Sequence, residues 1–590
     1  MKTLRFGSAD GRIDGGLNVC DPPSLLDPSQ AAELTNMWFH NGTLCKRPGQ
    51  TVLTPIGNGQ EVDTMWNDDH GRILLQSGSK LYTYTIASGT AAPFYDLEIP
   101  AGQAKAPRGS FIPYNDGYVY FINGVEYIRW DGTAVTDVPT RAPEYRVYNT
   151  NDPTTATRIT CRSANLLTDY VTIRYDLTSG SVAKLTLPNH CQANLSPVSV
   201  TYNDTPITTY TINNLTVSLG TTISANNTVF RVKTKLAAAY IPDKHNITAC
   251  TKAVDYGADS RIFLCGNGTN YLFVSAAFDP TYFPADGMQA FGPGEPLTGF
   301  GKLYDTLILF RARGLASVEF TGSGADIAYQ LRTLNPVIGC DMPDSVRTVG
   351  NRLVWANTYA GVHMLVSTAR EYERNVHNIS RNINPLLLAE ADSDLIAASS
   401  VDFDGCYYLC TSSRVYVWDY KTRPYKGAGD FDDGARNLAW YRFTGIAAAH
   451  WFIDNGTLCF FVRGSDGVRK LAARPDDNGT AFTAVYRTGS MDCGEPGRFK
   501  NLDMLNVTLR CDTASACVLT VRCDEPGQVW SCPESISAAA SETSLTKTVR
   551  RALHRRSVRA FSVELTCTST AAGLNLSDLA VDYRLGAKLR

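Results

Sequence analysis

Two short acidic runs are the first places where this sequence could do chemistry. Asp430-Phe-Asp-Asp-Gly434 and Asp476-Asp-Asn-Gly479 bring carboxylates close together along the chain, as a calcium loop must, because Ca2+ collects its oxygen ligands from closely spaced side chains. The first run lacks the Glu that completes an EF-hand loop, and both read more simply as tight turns. The 16 cysteines offer less. Cys20, Cys45, Cys161, Cys191, Cys250, Cys265 and Cys340 stand singly, without the paired spacing of a zinc site, and are expected to be buried thiols acting as small apolar side chains. Cys406 and Cys410 share a strand-like Cys-Tyr-Tyr-Leu-Cys run, which at about 3.3 Å per residue puts them about 13 Å apart on one face, too far for a disulfide or a shared metal. Cys511, Cys517, Cys523 and Cys532 form a cluster whose gaps fit no metal signature. None of the 8 histidines sits in a recognisable partner arrangement, and His363, in Val362-His-Met-Leu-Val, reads as a packed strand residue. There is no HExxH, no phosphate loop (Gly301-Lys302 is followed by Leu303), no Gly-x-Ser-x-Gly elbow and no dinucleotide fingerprint. The expectation is a protein that is not an enzyme and uses no cofactor or metal, although a carboxylate pair assembled only by the fold stays open.

The elements that would position any such residues are hairpins. Short apolar, aromatic-rich runs pair across Gly- or Ser-containing turns. Examples are Arg72-Ile-Leu-Leu-Gln with Lys80-Leu-Tyr-Thr-Tyr, and Tyr118-Val-Tyr-Phe-Ile with Val125-Glu-Tyr-Ile-Arg-Trp. Gly78, Gly124, Gly268, Gly314, Gly361, Ser413 and Ser465 mark the turns, and five of the six successive intervals fall between 46 and 52 residues. A hairpin array at about 40–50 residues is the signature of a β-propeller, whose four-stranded blades bury their faces by stacking. The spacing predicts about six to eight blades.

The exceptional interval, from Gly124 to Gly268, equals one blade plus about 95 residues. Aromatics thin out there and Thr dominates, as in Thr205-Pro-Ile-Thr-Thr-Tyr-Thr-Ile, so a small inserted β-sandwich is expected in preference to two degenerate blades. Past residue 487, alternating runs such as Leu505-Asn-Val-Thr-Leu-Arg and Cys517-Val-Leu-Thr-Val-Arg predict a closing β-sandwich-like domain. Within it Arg550, Arg551, His554, Arg555, Arg556 and Arg559 crowd one stretch, either a basic rim for phosphate or a neighbouring subunit, or, more simply, a solvated turn feeding a strand. The expected organisation is an arm and hairpin over 1–55, first blades over 56–148, the insertion over 149–246, remaining blades over 247–486 and the closing domain over 487–590. The fold class is all-β.

Composition narrows the function classes. With 55 Lys+Arg against 57 Asp+Glu and 19% charged residues, the chain lacks the cationic excess by which proteins neutralise nucleic-acid phosphates. At 44% hydrophobic and 10% aromatic residues it has the apolar content to fold. No segment approaches the roughly 18 apolar residues of a membrane span. Met1-Lys-Thr-Leu-Arg-Phe-Gly7 lacks the apolar stretch of a secretory signal, so synthesis in a cytosol is expected.

The most specific pattern lies at the start. Gly15-Gly16-Leu17-Asn18 is followed by Asp21-Pro22-Pro23, then by a short helix expected over 28–36 with Asp27 as N-cap. Next come Asn36-Met37-Trp38-Phe39, a hairpin about Asn41-Gly42, and Lys46-Arg47-Pro48-Gly49. This opening resembles that of bacteriophage virion proteins of the tail-nozzle or tail-hub type from short-tailed phages, in which such a pattern precedes a β-propeller. Ser275-Ala-Ala-Phe-Asp279-Pro280-Thr-Tyr-Phe283-Pro is similar to a strand exit common in those propellers, and the closing β-domain fits their layout. The resemblance implies structural roles for Gly15, Gly16, Leu17, Asn18, Asn36, Asn41, Gly42, Arg47, Pro48, Gly49, Asp279, Pro280 and Phe283. It further implies a ring of six copies in the virion tail, assembled in the host cytoplasm. Its neighbours would be the portal, the adaptor and other tail proteins, and the DNA genome would pass through its channel without specific binding. A weakly charged surface suits a channel in which DNA slides. The alternative is a carbohydrate-binding or glycan-cleaving propeller acting on a host surface.

Overall fold

The computed structural model describes the chain apart from residues 9, 69, 149–157, 225, 322–327, 367–374, 424–437, 512–514, 525–528, 537–544, 569, 571–573 and 589–590. The protein is all-β, and β-propeller blades are its main building unit. Among the described residues seven four-stranded blades occur. Six keep their strands in chain order, over 62–96, 110–137, 252–290, 297–335, 347–378 and 399–444. The seventh joins Ala448–Asp454, Thr457–Val462 and Val468–Ala472 to a strand from the far end of the chain, Gly49–Leu53, in antiparallel register from Val468↔Leu53 to Ala472↔Gly49.

The seven hairpins expected from the turn markers all pair as read. Local chemistry accounts for the tightest turns. Asp404-Gly405 and Asn455-Gly456 hold both central residues at positive φ (46° and 75°, 46° and 73°), the backbone that lets two-residue turns follow the strand twist and that Asn, Asp and Gly adopt most cheaply.

The chain forms two compact units, 1–96 with 301–318 and 332–590, and 97–300 with 319–331. In the second unit the blades over 110–137 and 252–290 share a core of Ile112, Tyr120, Ile122, Ile262, Leu264 and Phe273. Between them in sequence lies the Thr-rich insertion, which starts its first strand at Glu144–Tyr148 and ends its last at Thr228–Lys235. Its strands make one six-stranded and one three-stranded sheet around a core of its own, including Val171, Ile173, Tyr175, Val217, Phe230 and Val232. Alternating burial along Tyr170–Leu177 and Thr228–Lys235 follows the side-chain period of two.

In the first unit, residues after 483 form a sandwich that the N-terminal strands complete. One sheet runs in the order Met37–His40, Thr43–Lys46, Leu574–Lys588, Arg498–Cys511, Leu545–Val558, and Lys2–Arg5 also pairs with Leu574–Lys588. The other sheet continues the blade over 399–444. Ala31–Thr35 bridges Trp440–Thr444 (Thr35↔Arg442, parallel) to Thr483–Thr488 (antiparallel), and Phe561–Thr568, Ser515–Cys523 and Val529–Ile536 follow. Leu505, Val507, Leu519, Val521, Val563 and Val581 meet between the two sheets.

The helix expected over 28–36 is absent. Ala31–Thr35 is a strand, because its backbone groups are taken from both sides by neighbouring strands, and tertiary pairing overrides a weak local preference. Asp27 does not cap a helix but closes a turn, accepting from Ser29 N (2.8 Å) and Ser29 Oγ (2.5 Å). The basic stretch lies on the strand Leu545–Val558 from Arg550 to Arg556, and only Arg559 falls in the short link that feeds Phe561–Thr568.

Candidate functional site: the joint built by the N-terminal motif

Arg47 is the centre of a joint between the arm, two blades and the sandwich. Its side chain is fully buried, and all five guanidinium N–H groups have acceptors. Nε donates to Asn36 Oδ1 (3.0 Å), Nη1 to Pro48 O (2.8 Å) and Asp477 Oδ1 (3.0 Å), and Nη2 to Thr444 O (3.0 Å) and Asp477 Oδ2 (2.6 Å). The guanidinium also lies 3.8 Å from the centroid of the Phe482 ring, a cation–π contact that substitutes for lost water. Buried charge is tolerated under these conditions, when it is paired and every donor is met.

Asn36 is the second member. Held at φ 56°, a left-handed conformation Asn adopts more readily than other side chains, it turns the chain out of Ala31–Thr35. Its Oδ1 accepts from Arg47 Nε and Thr444 N (2.8 Å), and its Nδ2 donates to Thr444 Oγ1 (2.9 Å) and Thr483 O (2.7 Å). Lys46 donates to Pro475 O (2.9 Å) and faces Phe482, and burial pulls its ammonium below the ordinary lysine range.

The glycines permit close approach. A Cβ on Gly49 would lie 1.9 Å from Asp476 O, and one on Gly16, at φ 70°, would lie 2.6 Å from Trp440 N. Gly15 N donates to Ser29 O (3.0 Å) and Leu17 N to Trp440 O (2.7 Å). Asn18, buried, is satisfied at both ends. Nδ2 donates to Asp21 and Gln30, and Oδ1 accepts from the Cys20 and Asp21 amides. Asp21 in turn takes both Nη atoms of Arg381, at 3.0 and 3.1 Å. Asn41 and Gly42, at φ 49° and 83°, form the two-residue turn between His40 and Thr43. They lie at the tip of that hairpin, with Thr43–Lys46 running between the tip and Arg47.

The second motif holds the insertion to its blade. Asp279 accepts from Thr281 N (3.0 Å) and from Arg141 Nη1 (2.6 Å), and Pro280 O accepts from Tyr127 Oη (3.1 Å). Phe283 is fully buried and its amide donates to Asn165 Oδ1 (3.0 Å). Asn165 completes the clamp by donating to Arg141 O and Thr281 O.

Asp476 and Asp477 are occupied by Arg474, Arg47 and the Gly479 amide, so that run is a turn. Asp430–Gly434 lies outside the described residues. Among the described residues no three His, Cys, Asp or Glu side chains gather at metal-holding distance, and no helix is long and apolar enough to cross a membrane. Nine of the fifteen described cysteines are buried. His363 is packed beside Trp355, and burial lowers its pKa from 6.5 to about 4. Sequence reasoning missed Asn165, Thr444, Phe482 and the pairing of Arg47 with Asp477. Only the acidic turn was visible, and its partner lies 430 residues away.

One cavity of about 730 Å3 adjoins the joint. Trp38, His40, Asn41, Asp404, Tyr408 and Lys421 are among its lining, Trp38 stacks on His40 with centroids 4.5 Å apart, and Lys421 pairs with Asp404 at 2.9 Å.

No protein-family model and no curated protein matches this chain. Solved structures give distant likenesses. Virginiamycin B lyase from Staphylococcus aureus is 10% identical, with a TM-score of 0.35 over 72% of this chain and 98% of that one. An extracellular domain from B. thetaiotaomicron is 9% identical, with a TM-score of 0.37 over 89% of this chain and 61% of that one. The AfRom2 CNH domain is 7% identical at a TM-score of 0.32, over 72% and 99%. Likenesses at this level say nothing of activity, and the fold rests on the sheet order above.

Proposed function

We propose that this chain is a structural protein of a bacteriophage tail. It forms a homo-oligomeric ring, six copies in the form the resemblance implies, that retains and conducts the DNA genome and anchors neighbouring tail proteins. The observation that carries the reading is the use to which the motif residues are put. Gly15, Gly16, Leu17, Asn18, Asn36, Arg47 and Gly49 spend their polar groups or their lack of a side chain on buried contacts that knit the arm to blades and sandwich. Motif residues engaged in buried architecture are what a load-transmitting ring subunit needs. The near-neutral charge supports a passage in which DNA is not gripped.

The test is native mass measurement with negative-stain imaging of the purified chain and of virions that carry it. Closed rings of several copies are expected; a strictly monomeric particle that never joins virions would refute the reading.

A second reading, glycan binding on a host surface, is favoured by the cavity beside the joint. Its volume falls within the range of small-ligand sites, and its lining includes Trp38, Tyr408 and Asp404, the mix of aromatic and polar groups that such sites use. Glycan-array binding or hydrolysis would establish that reading in place of the first.

A further inference from the structure

The strand Leu545–Val558 ends its sheet. It pairs with Arg498–Cys511 on one side, and among the described residues no strand pairs with its other side. Arg550, His554, Arg556 and Arg559, on and just past it, are exposed. Elsewhere on the same sandwich, exposed cations are matched by carboxylates, Arg5 by Asp578 (2.7 Å) and Arg584 by Asp503 (2.8 Å), and on the strand itself the half-buried Arg551 is matched by Glu534 (2.5 Å). No such partner among the described residues serves the side chains of Arg550, Arg556 or Arg559.

The neighbouring edge, Val529–Ile536 of the opposite sheet, is built differently. It carries Pro533, which has no N–H to offer an added strand, and Glu534, which is turned inward onto Arg551 and Lys547. That is how an edge is closed against association. Strand 545–558 has no proline, and its irregularities come late, at His554 (φ 48°) and Ser557 (φ 59°). A regular stretch over 546–553 is left with one row of backbone groups unpaired by any described strand, next to unmatched arginines.

We propose that this edge takes an acidic, extended segment of a partner protein as an added strand. Backbone hydrogen bonds would supply the pairing and Arg550 and Arg556 the charge recognition, since guanidinium meets carboxylate in a two-pronged fit. A protein segment fits better than nucleic acid because only a peptide backbone answers the open row of amide and carbonyl groups.

The test uses the full chain and a fluorescent nine-residue peptide alternating Glu with Val. Three comparisons accompany it: the Gln-for-Glu peptide, a version N-methylated at alternate residues, and a nine-nucleotide single-stranded DNA. The acidic peptide is expected to bind at least about tenfold more tightly than each of the three, and to weaken with salt. The double variant Arg550→Glu/Arg556→Glu, with both changes at exposed positions, is expected to lose at least about tenfold in affinity while keeping the wild-type melting profile. Equal binding of the N-methylated peptide, preference for the DNA, an unaffected double variant, or no binding of the acidic peptide would each overturn the proposal.

Discussion

At the scale of single residues, Arg47 and His363 make opposite electrostatic predictions. Arg47→Met removes a buried cation whose partners, Asn36, Thr444 and Asp477, are left facing apolar atoms. Breaking a buried pair from one side costs about 3–5 kcal/mol, so the denaturant midpoint of the first unit is expected to fall by a corresponding amount. Arg47→Lys restores the charge but not the five-donor fork, and is expected to recover only part of that loss. His363 is destabilising on acidification. Its folded value, about 4, lies below the ordinary 6.5, so between those limits the unfolded chain takes up a proton that the folded chain refuses. Stability falls as pH falls through that window, by about 2 kcal/mol at pH 5. His363→Phe, which keeps a ring beside Trp355, is expected to flatten the slope between pH 6.5 and 5, and unfolding at stepped pH would reveal it. An unchanged slope would mean that His363 is protonated in the fold.

At the scale of elements, what was legible in the sequence was local. Hairpins declare themselves through alternating apolar residues and Gly, Asn or Asp at their turns, so the seven marked hairpins, the insertion and the turn at Asn41-Gly42 could be read from windows of about 15 residues. The segment around Ala31–Thr35 could not. Its Ala, Glu and Leu suggest a helix, and the strands that overrule this, Trp440–Thr444 and Thr483–Thr488, are more than 400 positions away. The same distance hid the joint: Arg47 and Pro48 were visible as a motif, whereas Asp477 and Thr444 were not visible as their partners. One element carries a direct test. A chain beginning at residue 55 lacks Gly49–Leu53 and leaves Val468–Ala472 as an uncovered edge, so it is expected to aggregate. A peptide spanning 31–55, which carries the strands Ala31–Thr35, Met37–His40, Thr43–Lys46 and Gly49–Leu53, is expected when added during refolding to raise the soluble yield by refilling their positions, as light scattering would report.

At the scale of the whole molecule, the cysteines show how a chain rich in thiols keeps them quiet. Cys265, Cys250 and Cys406 lie in cores where burial pushes the thiol well above its ordinary range, so they hold no thiolate to react. Cys20 and Cys161 are exposed. Titration of the native protein with a thiol reagent is expected to consume these two first, with the nine buried ones released only by denaturant; early modification of Cys265 would contradict the packing of that blade. The closure of the seventh blade by Gly49–Leu53, and of the sandwich by Lys2–Arg5 against Ala580–Tyr583, also sets a clock. The ribosome delivers each of these strands hundreds of residues before its partner. At about 5–20 residues per second, strand 49–53 waits roughly 20–85 s for residues 468–472, and strand 2–5 waits longer. Through that interval the arm is an unsatisfied, strand-forming segment, so the nascent chain is exposed to mispairing with its neighbours on a polysome until those partner strands emerge.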